Sequence, residues 1–68
     1  MGAIINGADE QAVSMFLNNE IAFLDIETSI IKASESIEYI QNPTLEDILE
    51  SDRKAREFVR ELWKGANE

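Results

Sequence analysis

The chain has 68 residues, 14 acidic against 6 basic, a net charge of -8, and neither cysteine nor histidine. Such a length permits one domain, whose core buries only about 60% of the unfolded surface, and the charge argues against nucleic acid, whose phosphates call for Lys and Arg, and against an acidic membrane surface. Disulfides and thiolate chemistry are excluded, which fits a reducing compartment, and so are the commonest general base and the commonest metal ligand.

The first residues, Met1-Gly2-Ala3-Ile4-Ile5, lack the basic region and long apolar core of a signal peptide. No apolar run approaches the ~20 residues of a membrane helix. Ala3-Ile4-Ile5 is apolar with no helix signal before it. It reads either as the edge of an upstream segment, with residues 1–5 outside a bundle that occupies 6–65, or as an ordinary apolar N-terminus tucked into the core. The first reading is adopted, and on it Ala3-Ile4-Ile5 is expected to pack incompletely. Asn6-Gly7 is a turn signal and Asn6 a good N-cap. A first helix is predicted over 7–19, with Ala12, Val13, Phe16 and Leu17 at helical spacing. Asn18-Asn19-Glu20 breaks it. Ile21, Phe23 and Leu24 form a short apolar connector expected to pack rather than face water. A second helix is predicted over 24–36, its stripe being Ile26, Ile30, Ala33 and Ile37, with Asp25 and Glu27 near the start, where carboxylates suit the dipole. Residues 37–41, with Tyr39 and Ile40, either extend that helix or form a separate turn.

The strongest signals frame a long helix over 44–65. Pro43 cannot sit in a helix interior. Thr44 follows as the N-cap, with Asp47 three residues on as an acidic capping-box partner. Glu46, Asp47 and Glu50 crowd the start while Arg56, Arg60 and Lys64 crowd the end, both suiting the dipole. Gly65 can take the closing left-handed turn. Leu45, Ile48, Ala55, Val59 and Leu62 form the predicted core stripe, broadened by Leu49 and Trp63. Asp52 interrupts it. A carboxylate there must be partnered or reach water. Arg56 stands four residues on, at pairing distance. The expectation is that Asp52 points inward, accepts from free amides near Asn6, and fixes helix register as polar seam residues can. Nothing shows the period of a strand. The fold class is all-α, a small bundle of three to four helices with one long C-terminal helix.

For chemistry the sequence is poor. Residues 1–31 hold five acids and no base, and residues 53–64 hold five bases and two acids. Dipole compensation and solvated faces explain this more simply than a basic partner does. Glu46, Asp47 and Glu50 lack the turn and glycine spacing of a calcium loop. The serines have no histidine to activate them, and there is no glycine-rich phosphate loop. Trp63 and Phe58 lie among basic residues, but Glu57 and Glu61 interleave, which favours packing over base stacking. Catalytic, cofactor-binding and metal residues are therefore all assigned as none.

Two resemblances bear on function. Gly7-Ala8-Asp9 echoes the attachment motif of acyl carrier proteins, but Glu10 stands where that family has its serine, so no prosthetic group can be attached. The second is stronger. Asn6-Gly7-Ala8-Asp9-Glu10-Gln11-Ala12-Val13, then Phe16-Leu17, then Ile21-Ala22-Phe23-Leu24-Asp25-Ile26, resembles the start of the C-terminal helical domain of 1-deoxy-D-xylulose 5-phosphate reductoisomerases. Asn42-Pro43-Thr44-Leu45-Glu46-Asp47-Ile48-Leu49-Glu50-Ser51-Asp52, with Ala55-Arg56, is similar to that family's last long helix. The blocks fall in the family's order. The family usually reads Asn-Ala-Ala-Asn-Glu in the first block, so Gly7 replaces an alanine and Asp9 an asparagine. The resemblance implies a domain of a cytoplasmic, homodimeric enzyme of non-mevalonate isoprenoid synthesis. That enzyme rearranges and reduces a sugar phosphate with NADPH and a divalent metal, Mg or Mn. It implies no catalytic residue in this chain, because the nucleotide, metal and phosphate motifs belong to other domains. The partner implied is the catalytic domain, with no nucleic acid and no membrane. The alternative is a free-standing acidic helical interaction module.

Overall fold

The computed structural model describes residues 2–64. Among them are three α-helices and no strand: α1 (Gly2–Leu17), α2 (Phe23–Ser36) and α3 (Leu45–Leu62). The bundle is 38 Å long and 18 Å across. Gly7 faces Asp52, and Glu10 pairs with Arg56, so α1 and α3 run parallel. Trp63, just past α3, bonds Ser29 in α2, so α2 touches the end of α3, while it packs mainly against α1. The core is made of small residues and a few larger ones: Ile4, Ala8, Ala12, Met15, Ile21, Ala33, Ala55 and Val59.

The first helix begins five residues earlier than the sequence suggests. Asn6 is an exposed interior residue of α1 and not its cap. A turn signal is a weak prior that tertiary packing overrides. Ile4 lies one turn ahead of Ala8 and is only 2% exposed, and its burial draws the helix back to Gly2. The expectation that residues 3–5 pack incompletely fails for Ile4 for the same reason. The other end of α1 closes as the polar run predicts. Asn19 has φ 61°, a conformation that asparagine tolerates better than most residues. The Glu20 amide donates to Met15 O at 2.8 Å and the Asn19 amide to Phe16 O at 3.0 Å, the paired bonds of a Schellman closure.

The connector divides. Ile21 is buried, whereas Phe23 and Leu24 are 68% and 75% exposed. They are the first residues of α2 and lie on its outer side, so the expectation that they pack is corrected. Phe23 still meets Phe16 edge-on, with ring centroids 5.7 Å apart. At the start of α2 the Ala22 amide donates to the Asp25 carboxylate at 2.9 Å. Alanine has no oxygen to return the bond, so this is half of a capping box.

The start of α3 has the whole box. Thr44 Oγ1 accepts from the Asp47 amide at 3.1 Å, and Asp47 Oδ2 accepts from the Thr44 amide at 3.0 Å. Thr44→Ala should cost about 1 kcal/mol in urea melts, while Glu35→Ala at an exposed site should stay within about 0.5 kcal/mol. Equal losses would place the helix start elsewhere. The buried face of α3 is Ser51, Ala55 and Val59, with Leu62 half-buried. Leu45, Ile48 and Leu49, expected in the core, are exposed. Helix α2 ends at Ser36 and residues 37–44 form no helix, so the first turns of α3 have beside them only the beginning of α1 and the loop with Tyr39, Ile40 and Pro43. Gly65, the expected closing residue, lies outside the described residues.

Candidate functional site

Of the polar side chains that the sequence singles out, Asp52 and Arg56 meet on the seam between α1 and α3, whereas Thr44 caps the start of α3 and Asn6 is exposed on α1. Here the two backbones come close. A Cβ built on Gly7 would stand 2.7 Å from the Asp52 backbone oxygen, 2.7 Å from Asp52 Oδ1 and 3.3 Å from Ala55 Cβ. No glycine among the described residues has positive φ, so Gly7 serves close approach and not a turn. Beside this contact Arg56 Nε donates to Asp52 Oδ2 at 2.8 Å, and Arg56 Nη2 donates to Glu10 Oε2 across the seam. Donation to Asp52 first, and to Glu10 second, pushes the Arg56 guanidinium pKa up.

Asp52 thus faces α1, but its carboxylate bonds Arg56. The expected bonds from amides near Asn6 do not form, because Asn6 lies inside α1, where amides bond within the helix. Asp52 and Arg56 side chains are 30% and 33% exposed, so the bridge is partly solvated and each pair is worth at most about 1 kcal/mol. Arg56→Ala removes both bonds, whereas Asp52→Ala leaves Glu10 as a partner. In urea melts at low salt Arg56→Ala should therefore be the more destabilising, whereas bonds from amides near Asn6 to Asp52 would make Asp52→Ala the worse loss. A second ion cluster, Arg53 with Glu50 and Glu57, lies on the exposed face of α3. The Arg53 bond holds the Glu50 carboxyl below its ordinary value. Its small contribution is present above the ordinary value of 4.5 and fades as pH falls through the lowered one.

Sequence reasoning missed the contact between α2 and the end of α3. Ser29 is 0% exposed. Its hydroxyl donates to Asp25 O at 2.7 Å and accepts from Trp63 Nε1 at 2.7 Å. The available signal was a serine inside an apolar stripe, a position where such a residue bonds back along its helix. Among the described residues no buried side-chain nitrogen or oxygen lacks a partner. The bonds of these groups tie the three helices to one another. No three of His, Cys, Asp and Glu among the described residues could hold a metal ion, and no described helix is long and apolar enough to cross a membrane.

Comparison with known proteins gives the family of the chain. The chain is 52% identical over 62 residues to the 1-deoxy-D-xylulose 5-phosphate reductoisomerase of Exiguobacterium sibiricum, covering 91% of this chain and 16% of that protein. It is 53% identical over 59 residues to the namesake of Caldanaerobacter subterraneus, covering 87% of this chain and 15% of that protein. For Halalkalibacterium halodurans the identity is 48% over 64 residues, covering 94% and 17%. The chain thus spans about one-sixth of the length of these relatives. No solved structure matches it. Residues 1–58 match the family described as DXP reductoisomerase C-terminal domain. The reading as a free-standing interaction module finds no support, and the chain belongs to the C-terminal domain family of the DXP reductoisomerases.

Proposed function

We propose that this domain acts as a structural support for the catalytic part of a 1-deoxy-D-xylulose 5-phosphate reductoisomerase, and that it takes no part in the chemistry itself. The observation that carries the reading is the match of residues 1–58 to a family defined as the C-terminal domain of that enzyme. The site supports it: the polar groups of the seam bond one another and stabilise helix packing. In this reading the parent is a cytoplasmic homodimer that uses NADPH and a divalent metal, Mg or Mn. On the same reading the donor sets for both groups belong to its other domains. Asp52, Arg56 and Glu10 set the register of α1 on α3, and Thr44 fixes where α3 begins.

A domain exchange tests the proposal. This chain should replace the matching C-terminal part of the Exiguobacterium sibiricum enzyme with turnover retained, and deleting that part should abolish turnover or stability. Undiminished turnover and stability after deletion would refute the supporting role. In titration calorimetry the 68-residue chain should bind neither NADPH nor Mg or Mn. Saturable one-to-one binding would overturn the assignment of the chemistry to other domains.

A further inference from the structure

Of the apolar residues left uncovered at the start of α3, Leu45 lies where the α1–α3 register runs past Gly2, and Ile48 and Leu49 lie level with the first turn of α1. Gly7 stands opposite Asp52 and Glu10 opposite Arg56. Carried back along both helices, the same register sets Leu49 level with Ile4 and Leu45 ahead of Gly2, the start of α1. Leu45 and Leu49 are 71% and 61% exposed, and they continue the row of Asp52 and Arg56 toward the helix start at intervals of three and four residues. That row therefore faces the α1 side. Next to it a groove of about 250 Å³ is lined by Gly2, Ile4, Tyr39, Pro43 and Ile48 among others. The bundle's own helices leave this end of the α3 stripe open, although it is continuous with the buried Ser51 and Ala55.

We infer that this end face, formed by Leu45, Ile48, Leu49 and Tyr39, is the docking surface for the reductoisomerase segment that precedes this domain in full-length relatives. The inference rests on the supporting role proposed above and assigns it a surface. Two observations select the occupant. The relatives are about six times as long as the matched region, and the family is their C-terminal domain, so in them the chain arrives at α1 from this end of the bundle. The face is also bordered by exposed Glu38 and Glu46. An apolar segment flanked by Lys or Arg complements that rim. A second copy of this chain, at net charge -8, would bring like charges together.

The chain has no cysteine, so Leu49→Cys and Leu24→Cys each introduce one thiol into the domain. Each variant is made in the 68-residue chain and in the Exiguobacterium sibiricum exchange protein. Alkylation at the new thiol is then followed by peptide mass spectrometry. Leu49→Cys should react at least about tenfold more slowly in the exchange protein than in the free chain, since a covered thiol reacts only on opening. Leu24→Cys should react equally fast in both. Equal rates for Leu49→Cys overturn the inference, as does slowing at Leu24→Cys alone. Labelling of Leu49→Cys that slows as the free chain is concentrated would identify a second copy as the occupant and also overturn it. The deletion described above separates the two readings. If deletion is harmful while Leu49→Cys stays open, the docking face is wrong and the supporting role stands. If deletion is harmless, the supporting role itself falls.

Discussion

Ile4→Ala should destabilise the domain by about 2–5 kcal/mol, the range for emptying a buried aliphatic site. Ile4 is 2% exposed and belongs to the central cluster with Ala8 and Ala12. Its neighbours are mostly small, so few side chains can move in to fill the space. A domain of this size has a total stability of only about 3–10 kcal/mol, so the loss is a large fraction of the whole. Urea melts followed by far-ultraviolet circular dichroism measure it. Ile5→Ala, at a 41% exposed neighbour, is the control and should cost much less. Indistinguishable melts for Ile4→Ala and the parent would return the helix start to Asn6 and leave residues 3–5 outside the core.

Gly7→Val should be of similar size, about 2–3 kcal/mol, because overfilling a tight contact forces backbones apart. The obstruction is the backbone oxygen of Asp52 as well as its carboxylate. A carboxylate can rotate away, but a backbone oxygen moves only with its helix. Gly7→Ala is the more informative member of the pair. In an open helix it would stabilise by about 1 kcal/mol, yet here the added methyl group meets the same oxygen at 2.7 Å. Gly7→Ala should therefore be destabilising, by less than Gly7→Val. A Gly7→Ala variant that melts higher than the parent would mean the seam is looser than described.

How far the fold can be read from the sequence differs between its ends. Helix α3 announces itself through Pro43, Thr44 and Asp47, because capping is local chemistry among adjacent residues. Helix α2 is equally plain, and its start falls one residue from the expected place. The start of α1 is obscured because Asn6-Gly7 has the composition of a turn and the geometry of a helix contact. Glycine serves either purpose, and only the position of Asp52, 45 residues away in the chain, decides between them. Exposure is harder still. Leu45 and Leu49 have the spacing of core residues, and periodicity cannot say whether the covering surface is in the same bundle. The pairing of Asp52 with Arg56 was legible from their separation of four. The second partner, Glu10, was not, because its place on α1 depends on the parallel arrangement of the first and last helices. The bond between Ser29 and Trp63 was invisible for a like reason.

The pairing of α1 with α3 also sets the order in which the domain can fold. The tightest contact joins the first helix to the last, with α2 and both connectors in between. Ala55 and Val59, two of the most buried residues, lie in the final third of the chain. During synthesis α1 and α2 therefore emerge with Ile4, Ala8 and Ala12 still lacking the surface that encloses them. Short helices gain most of their stability from packing and are marginal alone. Compaction must wait for Val59 to leave the ribosome and for a loop of more than 40 residues to close, which costs chain entropy before contacts repay it. The last helix is the step on which the whole domain's folding turns.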